Sequence, residues 1–182
     1  MPESRFLQLA AARRSVRKYR PDPVEREKLD VCLEAARLAP SACNAQPCRF
    51  VVLDEPALKN KFCEAVFSGV YSACKFAAAA PVIVAVISDT GKLTAWLGNQ
   101  VQDTNFRLID VGIAAEHFVL AAADQGLGTC WIGWFGKRAG AKALGLPRGK
   151  KIQVLIAVGY PETVPPPRPR KTKEEFCSYN KP

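Results

Sequence analysis

The chain is poor in acid–base machinery and poor in metal ligands. His117 is the only histidine among 182 residues. A Ser-His-Asp or Cys-His nucleophile system therefore has little to be built from, and a Cys/His zinc site is disfavoured. Set beside Glu116 in a helix-forming stretch, His117 reads as a core or interface residue with a satisfied ring. There are 7 cysteines, Cys32, Cys43, Cys48, Cys63, Cys74, Cys130 and Cys177, but no Cys-x-x-Cys. Cys43 and Cys48 lack the third cysteine, three residues on, that a plant-type iron–sulfur cluster needs. An odd set with no secretory signal ahead of it reads as reduced thiols, most of them packed as small hydrophobes, rather than as a disulfide scaffold. The dinucleotide fingerprint is missing as well, since Trp131 stands where the third glycine after Gly126 and Gly128 belongs. Gly136-Lys137 and Gly149-Lys150 lack both the upstream glycine and the following Ser/Thr of a phosphate loop, which leaves nucleoside-triphosphate chemistry unsupported. Met1-Pro2-Glu3-Ser4-Arg5 is no apolar leader, and every apolar run stops short of a membrane span. A soluble cytoplasmic protein without a metal is expected.

What is abundant is positive charge. Lys and Arg number 26 against 17 Asp and Glu, a net +9. The excess gathers at the two ends, in residues 13–20 and 168–173, instead of forming one stripe, and neither zinc-finger spacing nor an aromatic-basic RNA signature accompanies it. A nucleic-acid partner is therefore not expected, although a basic nucleic-acid-associated dimer remains a third reading. A field of this kind also suits phosphorylated small molecules.

The length suits one domain with a substantial core. Hydrophobic spacing predicts helices over residues 5–14, 24–38, 56–67, 70–79, 102–125 and 136–144, and strands over 50–53, 81–87, 128–132 and 152–158. The 24–38 helix shows Val24, Leu29, Leu33 and Ala36 at near-helical spacing and is stopped by Pro40. Residues 50–53 read as a buried strand, and 81–87, apolar on both faces, as a central one. The 102–125 helix has little polar face and is expected against the sheet, a partner subunit or both. From Pro161 the proline-rich segment is expected to run extended, as an arm. Helices and strands mixed without a regular βαβ repeat indicate an α+β layered domain.

Two short segments carry the chemistry. Arg13-Arg14-Ser15-Val16-Arg17-Lys18-Tyr19 concentrates donors that grip a phosphate through charge-assisted hydrogen bonds. Taken alone it would be an ordinary solvated helix end. The loop Pro40-Ser41-Ala42-Cys43-Asn44-Ala45-Gln46-Pro47 brings two amides, Asn44 and Gln46, each able to donate to and accept from a planar heterocycle. A phosphorylated cofactor with a polar ring, such as flavin mononucleotide (FMN), fits both. With no acid–base residue assigned to catalysis, the site has to bind, orient and tune a cofactor that performs the electron transfer.

These two segments, followed by Gly126-Leu127-Gly128-Thr129-Cys130-Trp131-Ile132-Gly133 and the Arg/Lys-bearing tail, resemble the nitroreductase-like flavoenzyme family over nearly the whole chain. The resemblance implies a layered α+β fold, with a central mixed, largely antiparallel sheet flanked by helices. It implies an intertwined homodimer with cofactor sites at the subunit interface. Residues 1–160 would form the FMN-binding domain and residues 161–182 the extended C-terminal arm of that domain, embracing the neighbour. Arg13, Arg14 and Ser15 would address the phosphate and ribityl chain, and Arg17 the pyrimidine end of the ring. Pro40, Ser41, Ala42, Asn44 and Gln46 would line one side of the cofactor. Trp131, Ile132 and Gly133 would pass over the other side, where a glycine lets a backbone N–H approach flavin N5. Arg170, with Lys171 beside it, would reach the phosphate.

The implied activity is a ping-pong hydride transfer from NADH or NADPH, as a transient co-substrate, to a planar acceptor such as a nitroaromatic or quinone. A flavin-holding redox module without nicotinamide turnover is the alternative. The chain departs from the family pattern at Cys48, where tryptophan commonly follows Gln-Pro; this weakens the substrate analogy and removes no proposed flavin contact. Trp134 and Phe135 could wall a flat substrate or belong to the core.

Overall fold

A run of six consecutive apolar side chains, Val82 to Ile87, can be satisfied only where both faces are covered, and the centre of a sheet provides that. In the computed structural model, which describes residues 4–89 and 104–180, this run lies in β2 (Val82–Asp89), buried along all but its last residue. It pairs with β1 (Cys48–Leu53) on one side and β4 (Lys150–Gly159) on the other, and β4 pairs with β3 (Gly128–Ile132). The order is β1-β2-β4-β3 and every pairing is antiparallel. The sheet is flanked by helices, as the layered α+β expectation requires.

Alternation along the strands sends side chains to two cores. Ile83, Ala85, Ile87, Ile152 and Leu155 pack with Phe62 and Val66 of α3 (Pro56–Val66) and with Phe135 ahead of α5 (Lys137–Ala143). Val82, Val84, Val86, Val154, Ile156 and Val158 pack on the other face. They meet Leu29 and Cys32 of α2 (Arg26–Arg37) and Val111, Phe118 and Val119 of α4 (Phe106–Asp124).

Several boundaries differ from the sequence reading. The 50–53 strand begins at Cys48 and is a partly exposed edge strand, so its apolar run does not mark a doubly covered position. Residues 69–79 coil as a 3-10 helix rather than an α-helix. The first helix, α1 (Arg5–Ala12), ends before the arginines and buries none of its residues. The long helix α4 begins at Phe106; the first two residues of its expected span, 102 and 103, lie outside the described residues. After Pro161 the chain is extended and largely exposed until a single turn, α6 (Lys173–Phe176), which is closed by a capping box between Thr172 and Glu175. Among the described residues no helix is long and apolar enough to cross a membrane.

Candidate functional site

Helix α1 stops because Arg13 turns to an extended conformation (φ −57, ψ 134). Ser15 then pairs in parallel with Thr129 of β3, and the Val16 N–H donates to the Thr129 carbonyl at 2.8 Å. Val16 is buried, and so is Tyr19, whose hydroxyl donates to the Val16 carbonyl at 2.7 Å. Burial raises the Tyr19 pKa far above the ordinary phenol value, so this hydroxyl stays protonated. Residues 15–19 are thus held at the sheet edge by their apolar members, with Arg17 exposed and Arg13 and Arg14 half-buried.

Each arginine has a different setting. Arg13 faces Glu116 of α4 at 3.6 Å. Arg14 donates from Nη1 to the carbonyls of Ala11 and Arg13, while its Nε is buried without a partner among the described residues. The Arg17 guanidinium lies 5.6 Å from the centroid of the Phe76 ring and donates to the Ser15 carbonyl at 3.3 Å. After the Ser15–Thr129 bridge the chain crosses to the end of β4, where the Glu162 N–H donates to the Lys18 carbonyl and Tyr19 pairs with Pro161, and the Arg17 charge acts on the Cys130 thiol of β3. Burial raises the pKa of the Cys130 thiol, with Arg17 pulling the other way.

At the far end of β3, Trp131 is half-buried, Ile132 is buried and Gly133 is exposed. A Cβ built at Gly133 would meet nothing within 4 Å, so the backbone there is open to close approach. Trp134 is 57% exposed; its Nε1 donates to the Val70 carbonyl at 2.9 Å, and its ring lies 5.3 Å from that of Tyr71. Phe135, by contrast, is a core residue.

The amide loop is wound unusually. Cys43, Asn44 and Gln46 have φ values of 51, 52 and 45, a left-handed region that residues other than glycine seldom enter. Gln46 N donates to Ser41 Oγ at 2.9 Å, Asn44 N to the Ser41 carbonyl at 3.0 Å, and Gln46 Nε2 to Asn44 Oδ1 at 3.0 Å. Asn44 and Gln46 therefore face solvent as a coupled pair. Ala42 N donates to Oδ1 of the buried Asp110 on α4 at 2.9 Å. Behind the loop lies a cavity of about 300 Å³, lined by Ser41, Gln46, Cys48, Phe50 and Asp110 among others. The Cys48 thiol is pushed up to about 11 by burial, with the Asp110 charge adding to the shift.

The fold places Arg13, Arg14, Ser15 and Arg17 beside the start of β3, the strand whose far end carries Trp131 and Ile132 and leads into Gly133. It does not bring Pro40, Ser41, Ala42, Asn44 and Gln46 to them within one chain. Thr129 lies in register with Val158 and Val82, whereas Cys48, where the loop enters β1, is in register with Ser88. Three strand spacings, about 14 Å, and six residues of strand, about 20 Å, separate these corners of the sheet. Helix α4 runs between them, with Asp110 at the loop and Glu116 at Arg13, about 9 Å apart along its axis. Arg170 and Lys171 stand exposed on the tail, with no ion pair or hydrogen bond among the described residues.

His117 is exposed rather than in the core, and its Nδ1 is hydrogen-bonded to the Ile113 carbonyl at 2.9 Å. Phe76 and Asp110 belong to the framework of the candidate site and have no role in the sequence analysis, where Thr129 stands only inside the glycine-bearing motif. Only Asp110, an acid inside an otherwise apolar helix face, offered a signal. Among the described residues no cluster of His, Cys, Asp or Glu could hold a metal, and all seven cysteines are free.

The model of the nitroreductase family matches residues 10–160. An NADH dehydrogenase of Thermus thermophilus is 31% identical over 178 residues, covering 84% of each chain. A nitroreductase family protein of Streptococcus pneumoniae has a crystal structure that superposes with a TM-score of 0.82 at 25% identity, covering 97% of this chain and 100% of that one. An FMN-dependent nitroreductase of Clostridium difficile superposes with a TM-score of 0.77 at 26% identity, covering 96% and 99%.

Proposed function

Because this chain belongs to the nitroreductase family, we propose that it is an FMN-dependent oxidoreductase that passes hydride from NADH or NADPH to a planar acceptor such as a nitroaromatic or quinone. The observation that carries this reading is Arg14. A guanidinium Nε buried without a partner is costly unless an acceptor completes it, and it lies in the one segment where three arginines flank a serine. The donor set therefore fits a phosphate monoester, and the open backbone at Gly133 fits the close approach of a flat ring.

Arg13, Arg14 and Ser15 would hold the phosphate and ribityl chain, with Arg170 and Lys171 reaching it from the tail. Arg17, steadied over Phe76, would place its charge at the pyrimidine end of the ring, where negative charge develops on reduction. Trp131, Ile132 and Gly133 would cover one side. Pro40, Ser41, Ala42, Asn44 and Gln46 would cover the other, their two amides matched to ring or ribityl polar groups. Bound there, FMN would supply the hydride-accepting chemistry; the protein's own work is to bind, orient and shield.

That one chain holds the loop and the arginine segment at different corners supports a homodimer in which the loop of one protomer would close on the arginine segment of its partner. The exposed apolar side chains Phe6 and Leu7 on α1 and Leu108 and Ile109 on α4 suit such an interface. Residues 161–182, with Val164, Phe176 and Tyr179 exposed, suit an arm of the same domain that lies across the neighbour.

The test is oxidation of NADH and of NADPH by the FMN-loaded protein, with menadione or a nitroaromatic as acceptor. Steady turnover with parallel double-reciprocal lines is expected. Bound flavin that bleaches with dithionite but with neither nicotinamide would replace this reading by a flavin-holding module.

A further inference from the structure

The amide loop has little to hold it. Its left-handed residues Cys43, Asn44 and Gln46 are disfavoured conformations that persist only when the surroundings impose them. Most of its hydrogen bonds are internal: Asn44 N to the Ser41 carbonyl, Ala45 N to the Ala42 carbonyl, Gln46 N to Ser41 Oγ, and Gln46 Nε2 to Asn44 Oδ1. A cavity of about 300 Å³, lined by Ser41 and Gln46, lies beside it. Among the hydrogen bonds of the described residues, one joins residues 41–46 to another element of the fold. It runs from Ala42 N to Oδ1 of Asp110, 68 residues away on α4.

Asp110 is costly where it stands. It is 4% exposed on a helix whose neighbouring buried positions are Val111, Ala114 and Ala115. A buried carboxylate is retained only where it is compensated, and this one is compensated by the loop's backbone. Helix α4 is itself fixed by the apolar packing of Val111, Phe118 and Val119 against the sheet, so Asp110 is a rigid post.

We propose that Asp110 is a positioning residue that ties the flavin-facing loop to the sheet-packed helix and so sets where Asn44 and Gln46 present their amides. The inference rests on the FMN reading for its functional consequence; the tether itself does not. Asp110 acts through Ala42 and touches no cofactor. Its oxygen has to accept a hydrogen bond, and its negative charge is secondary. Asparagine, which keeps an acceptor oxygen at the same reach, therefore preserves the function, and alanine does not.

The experiment compares the wild-type protein with Asp110→Asn and Asp110→Ala, first without FMN, by amide hydrogen exchange, and then by FMN titration followed through flavin fluorescence. In the wild type the Ala42 amide is expected to exchange slowly and the Cys43 amide, which has no hydrogen bond among the described residues, quickly. Asp110→Ala should speed exchange across residues 41–46 and weaken FMN binding by roughly tenfold to a hundredfold, the loss typical of a donor left without its acceptor. Asp110→Asn should restore both within a few-fold. Unchanged loop exchange in Asp110→Ala, or an asparagine variant as impaired as the alanine one, overturns the proposal. If Asp110→Ala does not fold, equal exchange at Ala42 and Cys43 in the wild type overturns it equally well. A wild-type protein that binds no FMN defeats the functional reading, and the exchange comparison still decides the tether.

Discussion

The Val16 N–H donates to the Thr129 carbonyl at 2.8 Å, and through this bond the arginine segment is pinned to the β3 edge of the sheet. The approach is close because residue 128 is a glycine. A Cβ there would fall 2.7 Å from Val16 Cγ2 and 2.9 Å from Val16 Cβ. Val16 is buried and cannot swing aside, so the position of Arg13, Arg14 and Arg17 is set by a backbone contact on the edge strand β3.

Gly128→Ala should therefore displace the arginine segment. The expected cost is roughly 1–3 kcal/mol of stability, the range for overpacking a tight contact. A lower urea midpoint with an unchanged m-value, together with weaker FMN binding, is the predicted outcome. A variant indistinguishable from wild type in both would show that the contact does not position the segment.

Arg13 and Arg17 should separate by role. Arg13→Ala is expected mainly to weaken FMN binding, by roughly tenfold or more, since it removes a charge-assisted donor. Arg17→Ala should slow flavin reduction by the nicotinamide more than it weakens binding. Titration and stopped-flow absorbance measure the two effects, and equal effects in both variants would contradict the division.

Trp134 is exposed yet held by its hydrogen bond to Val70 and its contact with Tyr71. Rigid exposed aromatics make good stacking surfaces at little entropic cost. Trp134→Ala should raise KM for a quinone or nitroaromatic several-fold while leaving NADH or NADPH oxidation by bound flavin close to wild type. Steady-state kinetics with both substrates varied provides the check.

The thiols give a pH dependence of known sign. Cys32, Cys48 and Cys63 are each raised from 9.0 to about 11, chiefly by burial. Above pH 9 the unfolded chain loses these protons while the folded chain keeps them, so their contribution is full below pH 9 and falls as pH rises toward 11. Urea midpoints measured from pH 8 to 11 should decline over that window. Labelling at pH 8 should modify the exposed Cys43 and Cys177 first, with Cys32 and Cys63 protected until unfolding.

Much of the fold was legible because burial leaves periodic marks. The doubly apolar run of β2 announced a central strand, and β3 was bounded correctly at Gly128 and Ile132. Where the marks are ambiguous the reading slipped. The alanine-rich segment 69–79 carries the same apolar pattern for a 3-10 coil as for an α-helix, and the β1 run could not reveal that one of its edges has no partner strand among the described residues. The arginine segment and the loop were legible as donors and amides, but their separation was not, because it depends on strand order. The Asp110–Ala42 bond was equally hidden, since nothing local joins residues 68 positions apart.

The most direct measurement of the central claim is a flavin fluorescence titration of the purified protein, paired with its visible spectrum. Quenching that saturates at stoichiometric FMN, with yellow absorbance retained through gel filtration on a dimer-sized peak, is predicted. Free FMN fluorescence that does not change on adding the protein, over a colourless protein peak, would contradict it.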